Sequence, residues 1–169
     1  MKWYLGIDIS KGYADFVLLS DQLIQVDQTF QLDDTRQGHE HLASWLATLY
    51  KRHPDLHVDC AVESTGGFED NWYALLLKLS STLSIRVARL NPSVVKNASK
   101  AMLNANKTDA ESAREIASYL KRFEDQVDYR VRSDHYTPFR SLHNHLELVK
   151  KQKTQVSNEL KQLLYSSFP

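Results

Sequence analysis

The stretch Trp3-Tyr4-Leu5-Gly6-Ile7-Asp8-Ile9-Ser10-Lys11-Gly12 decides the fold of this chain. It predicts a buried strand with one carboxylate in its middle, because apolar residues flank Asp8 on both sides. A buried carboxylate is costly unless its charge is matched, most economically by a cation. The simpler alternative is a strand-end aspartate that caps a turn. Acidic residues elsewhere in the chain must therefore decide between the two interpretations.

Composition limits the class of protein. A length of 169 residues fits one domain of ordinary size plus an appendage. No apolar run approaches the roughly 20 residues that span a bilayer, and no leader peptide is present, so we expect a cytoplasmic protein without membrane contact. The net charge is zero, so any nucleic-acid binding has to come from local patches. The lone Cys60 is expected to be a buried, inert thiol.

Three strands are predicted in succession at residues 3–10, 13–19 and 23–32, joined by short turns. Such short connections predict an antiparallel meander. On these strands, Asp15 and Asp27 are interpreted as solvent-facing residues.

Strands and helices then alternate. We predict helices over about 35–53 and 68–79, and strands over 56–63 and 84–90, with Glu63 at the end of the first of these strands. A meander followed by this alternation predicts an α/β protein with a mixed sheet and helices on both faces. Thr108 is predicted to cap a helix over about 109–123, which places Asp109 in the first turn, where the helix dipole favours a carboxylate.

From about Pro138 the chain has a different pattern, with apolar residues at spacings of three and four. This heptad pattern predicts a long helix of coiled-coil type, paired with another copy or with a further segment. A long amphipathic helix packed on its own domain is the alternative. The predicted seam contains one lysine, Lys153, and these apolar residues: Leu142, Leu146, Val149, Val156, Leu160 and Leu163.

Three carboxylates could meet in one cleft. In a ribonuclease H-like sheet the first and fourth strands are adjacent, so that Asp8 and Glu63 would point into one cleft with Asp109 across it. Hard oxygen ligands grouped in this way suit Mg²⁺ or Mn²⁺. Sites of this kind hold two ions about 3.5–4 Å apart and cleave phosphodiesters.

Four motifs make the sequence recognisable: Leu5-Gly6-Ile7-Asp8-Ile9-Ser10-Lys11, Glu63-Ser64-Thr65-Gly66, Leu90-Asn91-Pro92 and Lys107-Thr108-Asp109-Ala110-Glu111-Ser112-Ala113. Their order and spacing over residues 3–125 resemble the amino-terminal domain of the DEDD-type, RuvC-like transposases of insertion sequences, a family that includes the Piv DNA invertases. The resemblance implies a ribonuclease H-like domain over 1–128, then a linker and the start of a coiled-coil helix over 129–169.

The same resemblance implies a function. Members carry out DNA transposition by phosphodiester cleavage and strand transfer with Mg²⁺ or Mn²⁺, and known members use a structured RNA from the element to choose DNA sites. We therefore expect DNA and such an RNA as partners, and a homo-oligomer formed through the last helix. The family's carboxy-terminal domain, which carries a nucleophilic serine, is not in this sequence, so we expect a truncated chain that does not complete strand exchange alone.

Residue by residue, Asp8, Glu63 and Asp109 match the first three acidic residues of the family. The fourth acidic position holds Ser112, a neutral and weaker ligand that could act through a metal-bound water, so we expect weakened metal binding. Glu111 is a poor substitute because, at about 100° per residue, it lies on nearly the opposite helix face.

A basic and polar stretch flanks the proposed cleft. Lys96, Lys100, Lys107 and Asn104 suit contacts with phosphates, which position nucleic acid without reading its sequence. A solvated helix and loop is the plainer interpretation of this stretch.

Other functions remain as alternatives. The first is a non-catalytic nucleic-acid-binding and dimerisation module derived from such a transposase, which Ser112 and the missing domain favour. A resolvase of branched DNA would have the same fold. A sugar-kinase or actin-type phosphotransferase would need a second similar domain, for which the sequence has no room.

Overall fold

The computed structural model describes residues 1–64, 66–100, 108–131 and 136–167, without the side chains at 99, 100, 136–138, 140 and 141. The chain forms two compact units, Met1–Tyr129 and Arg130–Pro169. The helices and strands, in chain order, are β1 (Lys2–Ser10), β2 (Tyr13–Ser20), β3 (Phe30–Asp33), α1 (Arg36–Arg52), β4 (His57–Glu63), α2 (Asp70–Ser80), β5 (Ile85–Leu90), α3 (Pro92–Lys100), α4 (Asp109–Arg122) and α5 (Tyr136–Ser167). Within the described ranges, no helix is long and apolar enough to cross a lipid bilayer.

Strand β1 lies at the centre of a five-stranded sheet with the order β3-β2-β1-β4-β5. It pairs antiparallel with β2 and parallel with β4, and β5 continues the parallel half. The mixed sheet predicted from the sequence is therefore confirmed, with the first and fourth strands adjacent. Because β1 and β4 are parallel, Asp8 and Glu63 lie near the same end of the sheet.

Helices cover both faces of this sheet, as predicted. On one face, Leu5 and Ile7 of β1 share a core with Leu46 of α1 and Trp72 of α2. Because side chains alternate along a strand, Tyr4 and Gly6 point to the other face, where α4 packs. Cys60 is fully buried, and burial raises the pKa of its thiol well above the usual value, as expected of an inert cysteine.

The third strand is shorter than the predicted 23–32, which corrects that prediction. Ladder pairing with β2 covers only Phe30–Asp33, and Gln25 adds an isolated bridge to Leu19. Leu23 adopts a left-handed φ of 60°, and the backbone N–H of Leu23 donates to the carbonyl of Ser20 at 2.9 Å. After this turn the chain keeps only the Gln25 bridge and a hydrogen bond from the Val26 N–H to the Leu18 carbonyl at 3.0 Å, and the ladder begins at Phe30.

The two strand aspartates differ, although both were expected to face solvent. Asp27 is exposed, and its carboxylate accepts a hydrogen bond from Nε1 of Trp45 at 3.1 Å. Asp15 is only 7% exposed, so the expectation for this residue is wrong. The reason is tertiary: Asp15 points to the sheet face that α4 covers.

Candidate metal centre

Helix α4 lies directly against β1 because residue 6 has no side chain. A Cβ placed on Gly6 would lie 1.9 Å from the carbonyl oxygen of Ala113 and 2.5 Å from the nitrogen of Ala117. Real contacts of this kind are not tolerated, so only glycine allows this approach of helix and strand. Gly6 and Asp8 point to the same face of β1. The close packing therefore brings the start of α4 to the carboxylate of Asp8.

Three strands present a carboxylate to this face. Asp8 is paired in register with Asp15 of β2, and Gly6 with Ala61 of β4. Alternation along β4 then places Glu63, two residues after Ala61, on the same face as Asp8. Asp8 and Glu63 are half-buried. The sheet thus gathers two of the predicted acidic residues, together with one that was not predicted.

The charges of these groups act on one another. The pKa of Asp8 is raised to about 7, first by burial and then by the negative charges of Glu63, Asp109 and Asp15. A hydrogen bond from the backbone of Ile9 opposes this rise. Burial likewise raises the pKa of Asp15, against a hydrogen bond from Gln31, and Asp109 adds to the rise.

Asp109 is placed by the first turn of α4 and by a tyrosine of β2. Thr108 and Glu111 form a capping box: the Thr108 side chain accepts from the backbone of Glu111 at 3.2 Å, and the Glu111 side chain accepts from the backbone of Thr108 at 2.9 Å. The hydroxyl of Tyr13 donates to Oδ2 of Asp109 at 3.1 Å. Asp109 is exposed, and this hydrogen bond orients its carboxylate.

The fourth acidic position of the family pattern lies one turn further along α4. Ser112 is half-buried there, next to the buried Ala113. The Glu111 carboxylate is occupied by the capping box and is exposed to solvent. Glu111 therefore has a structural role at the start of α4.

A buried glutamate organises the loop that follows Glu63. The carboxylate of Glu69 is fully buried and accepts hydrogen bonds from Oγ of Ser64 at 2.9 Å and from the backbone N–H of Gly67 at 2.8 Å. Nη1 of Arg89 lies 3.6 Å from Glu69 and 2.8 Å from Asp70. Since these contacts fix the loop where β4 ends, they also fix the position of Glu63.

Another carboxylate on this sheet face shows how the chain neutralises a buried acid. Asp59 of β4 is fully buried and accepts from Nε and Nη2 of Arg86 at 2.7 and 2.6 Å, with Nζ of Lys2 at 3.0 Å. Burial alone would raise its pKa, but Arg86 and Lys2 outweigh burial and lower it. Asp8 has no such ion pair with any lysine, arginine or histidine in the described part of the chain.

The donor set fits a hard divalent cation in chemistry and in charge. Asp8, Glu63, Asp109 and Asp15 offer only carboxylate oxygens, which Mg²⁺ and Mn²⁺ prefer. In the described ranges, however, no three His, Cys, Asp or Glu side chains lie close enough together to hold one metal ion. The carboxylates therefore influence each other's charge in this structure without being grouped as a set of three around one ion.

The structure describes the side chain of one of the four predicted nucleic-acid-binding residues. Lys96 of α3 is exposed. Asn104 and Lys107 lie outside the described residues, and so does the side chain of Lys100. The structure therefore gives an accessible position for one of these four residues.

The predicted seam residues are exposed on α5, which runs over Tyr136–Ser167. Their exposed fractions lie between 45% and 64%: Leu142, Leu146, Val149, Val156, Leu160 and Leu163. The long helix is therefore present, with its apolar residues accessible.

Sequence reasoning missed two residues of this region, Asp15 and Tyr13. The signal for Asp15 was the turn at Lys11-Gly12: a two-residue turn pairs Ser10 with Tyr13, and counting back places Asp15 opposite Asp8. No comparable signal exists for Tyr13, because its contact with Asp109 joins residues 96 positions apart.

The strand order β3-β2-β1-β4-β5 with helices on both faces defines a mixed α/β fold, which comparison with known structures identifies more closely. The RuvC of T. thermophilus in complex with a Holliday junction substrate matches with a TM-score of 0.55 and 11% identity, over 76% of this chain and 99% of that chain. A second structure of Thermus thermophilus RuvC has a TM-score of 0.48 and 12% identity, and the match covers 72% of this chain and 96% of that chain. The first likeness shows that the chain has the RuvC-like, ribonuclease H-like fold.

The family model of the IS110-type DEDD transposases, described as "Transposase", matches residues 5–169. The chain therefore belongs to this transposase family. A search of curated proteins gave no match.

Proposed function

We propose that this chain is the metal-binding catalytic domain of a DNA transposase, in which Asp8, Glu63 and Asp109 hold Mg²⁺ or Mn²⁺ for phosphodiester cleavage and strand transfer. The observation that carries the proposal is the electrostatic state of Asp8. Its carboxylate is half-buried among three other carboxylates and, in the described residues, has no cationic side chain as a partner. The chain neutralises Asp59 with Arg86 and Lys2, whereas no described lysine, arginine or histidine forms an ion pair with Asp8, which supports a cation supplied from solution.

The residues of the chain have separable tasks in this proposal. Asp8 supplies a ligand that loses its proton when the ion binds, so metal affinity should rise with pH up to about 7. Tyr13 orients Asp109, and the Glu69 contacts hold the end of β4 and thereby Glu63. When bound, the ion would activate the attacking oxygen and stabilise the leaving oxygen of a phosphodiester.

Ser112 weakens this site because it adds no charge. A serine hydroxyl is neutral, so at least one ion should bind more weakly than in a site with four acids. This feature favours the second candidate function, a non-catalytic nucleic-acid-binding and dimerisation module. The two candidates differ in one measurable property, which is metal-dependent cleavage of DNA.

The test begins with metal binding and ends with cleavage. Titration calorimetry with Mn²⁺ should show binding to the wild-type chain, much weaker binding to Asp8→Asn and unchanged binding to Asp33→Asn, in which an exposed carboxylate of β3 is neutralised. Nicking of supercoiled plasmid in Mn²⁺ that disappears in Asp8→Asn supports the catalytic function. Mn²⁺ binding without nicking favours the non-catalytic module, and a wild-type chain that does not bind Mn²⁺ contradicts the metal site.

DNA is the proposed substrate. The cytoplasm is the proposed location of this chain. Lys96 is exposed and suits phosphate contact, and Lys100, Lys107 and Asn104 are proposed to extend the same surface. The related fold of T. thermophilus RuvC was determined with a Holliday junction, so branched DNA is the first duplex form to test. Lys96→Ala should weaken binding and reduce its salt dependence; unchanged binding at all salt concentrations contradicts the role of Lys96.

An RNA partner and self-association complete the proposal. A structured RNA from the parent element is proposed from the family resemblance, and a gel-shift assay in which that RNA binds no better than a scrambled RNA would contradict it. Self-association is proposed through the exposed apolar residues of α5, whose heptad spacing suits a coiled coil of two copies. On this basis we assign 1–128 to the catalytic domain and 129–169 to the linker and coiled-coil helix.

A further inference from the structure

The side chain of Phe68 is an aromatic ring that the first unit leaves in solvent. It is 50% exposed, whereas every other phenylalanine, tyrosine and tryptophan in the described part of Met1–Tyr129 is buried or half-buried. A single exposed aliphatic residue needs no explanation, but aromatic rings contribute a large share of the energy of cores and interfaces. One ring kept outside the core therefore suggests a contact with a partner, and its position indicates which partner.

Phe68 lies at the end of the sheet that carries the candidate metal centre. Strand β4 ends at Glu63, and the chain continues through residues 64–69 to α2, which starts at Asp70. Because β1 and β4 are parallel, Asp8 lies near this same end of the sheet. The ring therefore follows a proposed metal ligand by five residues, on the segment that leaves the carboxylate end of the sheet.

The backbone on both sides of Phe68 is held by hydrogen bonds. The next residue, Glu69, is fully buried and accepts from Oγ of Ser64 at 2.9 Å and from the N–H of Gly67 at 2.8 Å. The N–H of Asp70 donates to the carbonyl of Gly67 at 3.2 Å. A side chain on a backbone that is already fixed loses less conformational entropy when it binds. The segment thus presents an apolar ring to solvent at little further cost for binding.

The proposed substrate supplies a partner for this ring. We infer that Phe68 stacks on an unpaired DNA base beside the candidate metal centre. Every base has an aromatic face, and stacking on an aromatic side chain stabilises bound single strands without selecting a sequence. A paired base inside a duplex does not offer this face, so the ring favours DNA with unpaired positions. The inference rests on the proposed function, because it takes DNA as the substrate of this site.

Stacking and phosphate contact differ in their dependence on salt. A lysine that binds a phosphate releases counterions, so its removal reduces the salt dependence of binding. A phenylalanine ring releases none, so its removal should lower the affinity by the same factor at every salt concentration. Phe68→Ala and Lys96→Ala should therefore weaken DNA binding in two distinguishable ways.

The experiment measures DNA binding by fluorescence anisotropy in chelator, so that no cleavage takes place. A fully paired duplex is compared with the same duplex carrying a run of unpaired thymines. Phe68→Ala should bind the interrupted duplex about tenfold more weakly than the wild type, which is the usual loss for one stacked base, and should bind the paired duplex equally well. Phe68→Trp should bind both duplexes like the wild type, because it retains an aromatic face.

Two controls isolate the stacking contact. Ile24→Ala removes exposed apolar surface at the other end of the sheet: Ile24 is 60% exposed, and its carbonyl accepts from the N–H of Ser20, which pairs with Trp3 of β1. This variant should bind both duplexes like the wild type. Replacing the unpaired thymines by abasic sites keeps the phosphates and removes the bases, so it should lower the affinity of the wild type to that of Phe68→Ala.

The outcomes separate this inference from the proposed function. If Phe68→Ala binds the interrupted duplex as tightly as the wild type, or loses affinity for both duplexes equally, the inference is overturned. It is also overturned if Phe68→Ala converts a dimeric wild type into a monomer in sedimentation velocity, because the ring then contacts another copy of the chain. In all three cases Mn²⁺ binding and plasmid nicking by the wild type still support the proposed function. A wild-type chain that binds neither duplex contradicts both.

Discussion

The carbonyl oxygen of Ala113 occupies the place that a side chain at Gly6 would need, only 1.9 Å from where its Cβ would lie. This contact sets the distance between α4 and the central strand. Asp8 lies two residues after Gly6 on β1, and Asp109 is the first residue of α4. The contact at Gly6 therefore also sets how closely the carboxylates of these two residues approach each other. A backbone position without a side chain thus controls the geometry of the candidate site.

Gly6→Ala should therefore disturb both stability and metal binding. The atoms in the way belong to the helix backbone, which cannot move aside as a flexible side chain can, so we expect a loss of about 1–3 kcal/mol in the free energy of unfolding. Urea unfolding measures the loss, and calorimetry should show weaker Mn²⁺ binding. Adding Ala113→Gly should not rescue the variant, because the clash is with a main-chain oxygen. A Gly6→Ala chain with wild-type stability would contradict this account of the packing.

Tyr13→Phe should separate positioning from folding. The change removes the hydrogen bond to Asp109 and leaves the ring, so the stability loss should be about 0.5–1.5 kcal/mol, the usual net contribution of one hydrogen bond. Mn²⁺ affinity should fall several-fold because the Asp109 carboxylate is no longer oriented. The control is Tyr50→Phe, which loses a bond to the carbonyl of Ser84 at 2.7 Å. If both variants lower Mn²⁺ affinity equally, Tyr13 has no special role at the site.

The stability of the metal-free protein should depend on pH through Asp8. Its pKa is about 7 in the folded chain against an ordinary value of 3.8, so folding favours the protonated form. The stabilisation is complete below about pH 4 and is lost as the pH rises to about 7. The free energy of unfolding of the wild type relative to Asp8→Asn should fall across this window, by at most about 1.4 kcal/mol per pH unit. A constant difference between pH 4 and 8 would show that the Asp8 pKa is not raised.

Ser112→Asp should strengthen metal binding. A carboxylate there adds one negative charge near Asp109, so we expect roughly tenfold tighter Mn²⁺ binding in calorimetry. Without metal, the new charge three residues from Asp109 should cost a few tenths of a kcal/mol, the usual effect of like charges at this spacing. Ala110→Asp, on the same helical turn, is the control for charge alone. Equal Mn²⁺ affinity in wild type and Ser112→Asp would contradict the proposed weakness of the site.

Leu146→Lys should reduce self-association. Leu146 lies in the middle of the exposed apolar residues of α5, and a charge there would have to be buried between paired helices. Sedimentation velocity should show a dimer for the wild type and a monomer for the variant at the same concentration. Gln152→Lys adds the same charge at an exposed position outside the seam and should remain dimeric. A monomeric wild-type chain would contradict the proposed self-association through α5.

Much of the fold could be read from local patterns. The helix over Arg36–Arg52 begins after Thr35, and α4 begins after Thr108, because each threonine caps the backbone next to it in sequence. Such signals involve residues three or four positions apart, so they can be recognised from the sequence alone. The third strand was predicted too long because β-type residues over 23–29 do not reveal that ladder pairing with β2 covers only Phe30–Asp33.

The sequence by itself determined the order of strands and helices, the capped start of α4 and the identity of the acidic residues that the family pattern requires. Only the tertiary structure decided that Asp15 is buried, that Tyr13 reaches Asp109 and that α4 rests on the backbone of Gly6. The physical reason is the range of the forces involved. Periodicity and capping depend on neighbouring residues, whereas burial, long-range hydrogen bonds and the electrostatics of Asp8 depend on which distant surfaces meet when the helix closes over the sheet.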